Sequence, residues 1–202
     1  MSLFESNDSN GIISLRALFD GKQEMEGISN LTITPYINAL RRIFVIDDLP
    51  AWQPSLRSRT AIRTSHKRHF VDPSIATAVL RANPNTVLSD FELFGFLFES
   101  LCTRDMRVYA QANDGDLFHY RDKSELEVDL IVRLRDGRWG AIEVKLGNKQ
   151  IEEAVANLLR FQGKINTDKM NKASFLMVLT GGQFAYQRPD GVWIVPIGCL
   201  RE

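Results

Sequence analysis

Glu127-Val128-Asp129-Leu130-Ile131-Val132-Arg133-Leu134, Arg135-Asp136-Gly137-Arg138 and Trp139-Gly140-Ala141-Ile142-Glu143-Val144-Lys145-Leu146 form the continuous stretch whose reading decides the fold. Two apolar runs flank an Asp-Gly dipeptide, a strong local signal for a β-hairpin, because Gly accepts the positive φ that such a turn needs. Alternate side chains of a strand share a face. Glu143 and Lys145 therefore point one way, and Ile142, Val144 and Leu146 point the other way, into a core. The partner strand repeats the pattern, with Glu127, Asp129 and Ile131 on one face and Val128, Leu130 and Val132 on the other. The midpoint of positions 129 and 143 is Asp136 itself, so the hairpin sets Asp129 and Glu143 roughly across from each other.

Downstream of this hairpin, Ile151, Val155, Leu158 and Ile165 make the apolar stripe of an amphipathic helix. Ser174–Leu179 reads as a buried strand closed by Gly181-Gly182, and Phe184–Gln187 with Val192–Ile197 as a hairpin around Pro189-Asp190-Gly191. Upstream, Arg107–Ala112 and Leu117–Tyr120 read as strands. Before them the spacing predicts a helix from Ser89 to about Leu101, opened by a capping box of Ser89 and Glu92. A short helix near Ser74–Arg81 precedes Pro84. Leu31–Phe44 has the clearest helical pattern of the first half, with Thr32 or Thr34 as cap, Pro35 in the first turn, Tyr36, Leu40 and Phe44 on one face, and Arg41 and Arg42 opposite. Ile13–Phe19 also has helical spacing, bounded by Gly21 and Gly27. The segment after Pro50 reads as loop or hairpin. This divides the chain into a small helical, winged-helix-like unit with a basic linker over residues 1–70, and an α/β domain over residues 71–202.

The 202 residues are 44% hydrophobic and 25% charged, the balance of an ordinary globular protein. No apolar run approaches the roughly 18 residues of a membrane span. The opening MSLFESNDSN is polar and acidic, unlike a secretory signal, so a cytoplasmic location is expected. Cys102 and Cys199 lack CxxC or His neighbours and read as buried thiols. With 25 basic and 25 acidic side chains the whole molecule does not announce a nucleic-acid partner. Charge is uneven locally, however: residues 51–70 hold Arg57, Arg59, Arg63, Lys67, Arg68 and two histidines with no carboxylate. This is either a solvated loop or a set of DNA-backbone contacts with strong salt dependence.

Two carboxylates as close as Asp129 and Glu143 repel, and one must hold a proton unless a cation lies between them. Mg²⁺ or Mn²⁺ suits such an oxygen-rich site. Asp129 and Glu143 are thus the candidate metal ligands, and Lys145 the residue that stabilises developing phosphoryl charge. Glu99 lies in the apolar run Phe94-Gly95-Phe96-Leu97-Phe98-Glu99, where a lone carboxylate is costly. It reads either as a third metal ligand or as the partner of a basic side chain. Glu127 reads as a solvated neighbour and Gln162 as a surface residue, although related folds place a polar site residue on that helix. His66, His69 and His119 show no ligand spacing.

Asp129, then Glu143-Val144-Lys145, with Glu99 upstream on a helix, resembles the PD-(D/E)XK nuclease superfamily, whose restriction-endonuclease-like core has the order αβββαβ. More narrowly, His119-Tyr120-Arg121-Asp122-Lys123, Gly137-Arg138-Trp139 and Glu143-Val144-Lys145-Leu146-Gly147 look like the C-terminal domain of a group of bacterial and archaeal AAA+-type ATPases. Pro50-Ala51-Trp52, Leu56-Arg57-Ser58, Lys67-Arg68-His69-Phe70-Val71-Asp72-Pro73, Arg188-Pro189-Asp190-Gly191 and Pro196-Ile197-Gly198 match the same group, so the likeness covers roughly residues 31–202. In that group a P-loop domain comes first. This chain has no GxxxxGK[ST], so it resembles the C-terminal part alone and is expected to bind no nucleotide. The resemblance implies a Mg²⁺-dependent nuclease-like domain acting on or binding DNA. The alternative is a catalytically inactive module that recognises nucleic acid or protein for such an ATPase, with an ATPase domain or partner chain beside it and no membrane.

Overall fold

The computed structural model describes residues 30–55 and 62–201. The helical spacing at Ile13–Phe19, and both Arg57 and Arg59, lie outside the described residues. Chain order is α1 (Asn30–Arg42), β1 (Ile46–Leu49), β2 (Lys67–Phe70), α2 (Pro73–Val79), α3 (Pro84–Ser89), α4 (Phe91–Ala112), β3 (Gly115–Arg121), β4 (Glu127–Leu134), β5 (Trp139–Lys145), α5 (Ile151–Lys164), β6 (Phe175–Thr180), β7 (Tyr186–Gln187) and β8 (Trp193–Pro196). One mixed sheet has the order β3-β4-β5-β6-β8-β7, and β1 and β2 form a separate antiparallel ribbon. Among the described residues no helix is long and apolar enough to cross a membrane.

The Asp-Gly hairpin forms where the sequence places it. Gly137 takes φ +87°, and the Leu134 N–H donates to the Arg138 carbonyl at 2.8 Å across the loop. β5 and β6 run parallel, which requires a crossover, and the amphipathic α5 supplies it. Its stripe of Ile151, Ala154, Val155, Leu158 and Phe161 buries one face of the sheet together with Trp139, Ala141 and Val178. On the other face Phe98, Cys102, Met106 and Ala110 of α4 cover Leu130, Ile142, Val144 and Leu179. The strands are therefore buried on both sides, as a parallel segment with a helical crossover demands.

Several sequence expectations are corrected. Arg107–Ala112 is not a strand but the last turns of α4, because Met106 and Ala110 continue the stripe begun at Phe98 and Cys102. Asp90, not Ser89, caps this helix: its carboxylate accepts the Leu93 N–H at 3.0 Å. Ser89 instead ends α3, and its hydroxyl donates to the Thr86 carbonyl. Cys102 is fully buried, but Cys199 is exposed. The stripe of Tyr36, Leu40 and Phe44 on and just beyond α1 faces solvent rather than a core.

The described part of the linker packs into the α/β core. Trp52, in the basic linker, is 4% exposed and stacks on Trp139 with ring centroids 4.8 Å apart. The Trp52 backbone N–H donates to the His119 carbonyl at 2.7 Å, and the His119 backbone N–H donates to the Pro50 carbonyl, so the linker adds a short bridge to the edge of β3. Trp52→Ala should therefore destabilise the whole α/β domain by about 3–5 kcal/mol, the range for truncating a buried aromatic. Urea unfolding followed by far-ultraviolet circular dichroism measures this. A loss below about 1 kcal/mol would show the linker to be peripheral.

Candidate active site

Backbone pairing between β4 and β5 runs from Arg133↔Trp139 to Leu130↔Ile142 and ends there. The same register, carried one step further, sets Asp129 opposite Glu143. At that step a side chain replaces the backbone acceptor: Asp129 Oδ2 accepts the Val144 N–H at 2.8 Å. On the other edge of β4, Phe118 pairs with Ile131 but Tyr120 pairs with Val128, so β4 carries one extra residue between these pairs. This bulge breaks the alternation. Val128 packs with Ile131 in the core under α5, and not with Leu130 and Val132 under α4, which corrects the face assigned to it from sequence. Bulges re-aim side chains, and here the irregular step falls at Asp129-Leu130, beside the acidic pair.

Lys145 lies on the same face as Glu143. Its Nζ is 3.0 Å from Glu143 Oε2 and 3.7 Å from Asp129 Oδ2, so one ammonium bridges the two carboxylates. Glu143 is 4% exposed, and its other oxygen accepts from Asn157 Nδ2 of α5 at 2.7 Å. Burial, and then repulsion from Asp129, push the Glu143 carboxyl up to about 8, although Lys145 and Asn157 pull the other way. Burial also opposes charge on Asp129, but Lys67 and Lys145 outweigh it and hold that carboxyl below its ordinary value. At neutral pH Asp129 is thus the anion of the pair, and Glu143 keeps a proton. Burial works against the Lys145 charge too, yet Asp129 and Glu143 hold its ammonium above the usual range.

A second ammonium comes from the linker. Lys67, on the inner face of β2, is 6% exposed. Its Nζ lies 2.6 Å from Glu99 Oε1, 3.0 Å from Glu127 Oε1 and 3.6 Å from Asp129 Oδ1. Burial disfavours this charge, but Glu99, Asp129 and Glu127 overcome the cost and hold it well above the ordinary lysine value. Glu99 is raised by its burial, against the pull of Lys67. Of the two sequence readings for Glu99, the structure shows the basic partner, a lysine. Glu99 and Asp129 share the Lys67 ammonium, and Asp129 and Glu143 share that of Lys145, so the three carboxyls belong to one ionic cluster. His69 lies beside Lys67 on the same buried face, and burial together with that ammonium pushes its ring down to about 3. His119 is likewise lowered by burial, with Nε2 at 2.9 Å from the Ser65 carbonyl oxygen. Both rings are buried neutral groups.

The acidic pair opens into a cleft of about 540 Å³ lined by Glu127, Asp129, Glu143, Lys145, Asn157 and Arg160 among others. The described cations of the basic segment are not a free positive face. Lys67 points inward to carboxylates, Arg68 lies 3.5 Å from Asp48 Oδ1, and Arg63 is paired with Glu125 at the cleft rim. Glu127 is partly exposed and shared by Lys67. Gln162 does not line the cleft. Sequence reading missed Asn157, whose position on α5 is one turn before the buried Phe161. A polar residue there, flanked by the buried Ala154 and Leu158, was the available signal. Nothing local in the linker pointed to Lys67, because its partners lie 32 to 62 residues away along the chain.

Two family models match the chain: a domain of unknown function, DUF8612, over residues 12–86, and another, DUF4143, over residues 94–200. No curated protein and no solved structure matches. The first match holds Lys67 and the second holds Glu99, Asp129, Glu143, Lys145 and Asn157, so the ionic cluster joins both matched regions. Since the larger match spans more than half of the sequence and contains the whole central sheet, the chain belongs to the DUF4143 family, a domain of unknown function.

Proposed function

We propose that the chain carries a Mg²⁺- or Mn²⁺-dependent nuclease-like site that acts on or binds DNA, within a PD-(D/E)XK-type core that forms the C-terminal part of an AAA+-type ATPase. The observation that carries this reading is the convergence of Asp129, Glu143 and Lys145 at one end of the central hairpin, in an open cleft. The order α4, β3, β4, β5, α5, β6 supports the αβββαβ assignment. The donor chemistry fits a hard divalent cation: both groups are carboxylates, and their repulsion leaves Glu143 protonated where a metal would relieve it. Asp129 and Glu143 would hold the ion, with Glu99 and Glu127 in the adjoining carboxylate cluster. A bound ion would polarise a phosphodiester and lower the pKa of an attacking water.

The chain's own residues supply the rest. Asn157 fixes one Glu143 oxygen and so turns the other toward Lys145. The Val144 N–H fixes Asp129 in the same way. Lys145, a quarter exposed at its side chain, can turn its ammonium toward charge that develops on a phosphoryl group in the cleft. Arg160, on the cleft wall, offers a cation to a neighbouring phosphate.

A second reading, a catalytically inactive module for nucleic-acid or protein recognition, draws support from two features. The described basic residues of the linker, Arg63, Lys67 and Arg68, are already paired with carboxylates, and Tyr36, Ile43 and Phe44 are 69%, 66% and 79% exposed, an apolar surface suited to a protein partner such as an ATPase domain.

Three outcomes decide between these readings. Mn²⁺ titration by calorimetry should show saturable binding that is lost in Asp129→Ala/Glu143→Ala, and absence of uptake in wild type would leave the recognition module. Because Glu143 must give up its proton to ligate, affinity should climb about tenfold per pH unit below pH 8 and level off above it. Lys145→Met should keep Mn²⁺ binding but slow nicking of circular DNA by about 10²–10³-fold, the scale for removing one charge-stabilising group. Equal nicking by the variant would remove Lys145 from the chemistry.

The proton on Glu143 also sets a stability profile. Its carboxyl rises from 4.5 to about 8 on folding, so the stability its held proton contributes is complete below pH 4.5 and lost as pH rises through 8. Asp129 shifts in the opposite direction, below 3.8, and stays outside that window. Without metal, the wild-type minus Glu143→Gln difference in unfolding free energy should thus fall between pH 4.5 and 8, while His69 and His119, lowered from 6.5 by folding, contribute with the opposite sign to both chains alike. Parallel urea profiles for the two chains would contradict the assignment.

A further inference from the structure

We propose that Lys67 is a built-in competitor of the divalent cation: its ammonium occupies the acidic cluster, and the site takes up metal to the extent that the β2 strand gives that ammonium up. The inference rests on the metal-site reading above and adds a regulating residue to it.

The electrostatics of the cluster lead to this. Glu99, Glu127, Asp129 and Glu143 supply four carboxyls, and Lys67 and Lys145 supply two ammoniums. Lys145 bridges the Asp129–Glu143 pair, where a metal-dependent site can also use it. Lys67 has no such second use. It reaches in from a separate two-stranded ribbon, is buried, and touches only the carboxylates on its side, including Asp129 Oδ1, the oxygen not bound by the Val144 N–H. It also holds Glu99 at 2.6 Å and so occupies the position between Glu99 and Asp129. Two cations at the same carboxylate oxygens repel, so a metal on Asp129 weakens the hold on Lys67, and Lys67 weakens the hold on metal, by the same factor.

The linker has the construction of a latch. β2 is a four-residue strand that pairs, among the described residues, with β1 alone. His69, its other inward residue, is buried with Nε2 lacking a hydrogen-bond partner, so that nitrogen adds no polar tie at this end of the ribbon. At this point β2 meets the carboxylates of the α/β core through Lys67, while Leu49 of β1 and the Arg107–Asp47 pair hold the rest of the ribbon. Whatever moves the ribbon therefore changes how many carboxylates are left for a metal.

The test is Mn²⁺ calorimetry on the full chain, wild type against Lys67→Met, which keeps the bulk of the side chain and removes its charge. Lys67→Met should bind Mn²⁺ at least about tenfold more tightly, since one positive charge beside the ligands is gone. Its melting temperature should be lower than wild type in EDTA and should rise more on adding Mn²⁺. Equal affinity of the two chains would overturn the competition and leave the metal site standing. Uptake by neither would overturn the metal site and the competition together.

A measurement on wild type alone covers the case in which Lys67→Met does not fold. Reductive methylation of lysines, read by mass spectrometry, should modify Lys67 several-fold faster with saturating Mn²⁺ than in EDTA. Lys164, held by Asp122 at 2.6 Å on another part of the domain, should not change and serves as internal reference. Unchanged Lys67 reactivity, with metal uptake shown by calorimetry, would overturn the proposal.

Discussion

The Asp129 carboxylate lies below the surface with the Val144 N–H on one oxygen, Lys145 beside the same oxygen and Lys67 beside the other. Taking an anion out of water costs several kcal/mol even after relaxation, so a charge in this position exists only if its surroundings are built to hold it. Much of what is irregular in the sheet can be traced to that requirement. The β4–β5 ladder stops one pair short so that a side chain can take a backbone donor. β4 carries an extra residue at the same level. The linker strand lies where it does because its lysine is drawn to Asp129, Glu127 and Glu99.

A carboxylate so supported cannot tolerate a second full negative charge a few ångströms away, and this fixes the state of Glu143. Burial and repulsion from Asp129 outweigh the pull of Lys145 and Asn157, so Glu143 is the group that keeps its proton. Protonation, a lysine and a divalent ion are three ways to answer the same surplus, and the sequence offers the first two internally. The third differs in charge and coordination: a divalent ion needs several oxygens at short range, which requires Glu143 to be ionised and the carboxylates to be released by ammonium groups. Protonation and the two lysines thus set the affinity that any metal would meet.

The hairpin and the face shared by Glu143 and Lys145 were legible in the sequence because both follow from local rules, a two-residue period and a turn that needs Gly137. The α5 crossover was legible for the same reason. Arg107–Ala112 misled because Val108, Tyr109 and Ala110 suit a strand when viewed alone, whereas Met106 and Ala110 continue a helical stripe that starts before them. Val128 misled because a bulge is a decision of the sheet, made by the mismatch between the β3 and β4 registers. Lys67 looked like one member of a basic loop. Its role depends on carboxylates contributed by α4 and β4, and no window of sequence around residue 67 contains them.

That long-range origin has a consequence for how the molecule should be divided. Trp52 is anchored in the core under α5, and Lys67 is anchored in the ion cluster, so the segment between them is fastened at both ends to the α/β domain by different forces. The Trp52 contact is apolar and largely indifferent to pH and to cations. The Lys67 contact is ionic and changes with every proton or metal the cluster takes up. Between them the Ser55 carbonyl accepts from the Asn166 N–H, the Arg63 N–H donates to the Arg121 carbonyl and the Ser65 carbonyl meets His119 Nε2, so the Lys67 contact can respond to the state of the site while the rest of the linker stays attached. In the reverse direction, β2 touches Asp129 through the Lys67 ammonium, while Leu49 in the core under α4 and the Arg107–Asp47 pair hold β1 to the domain.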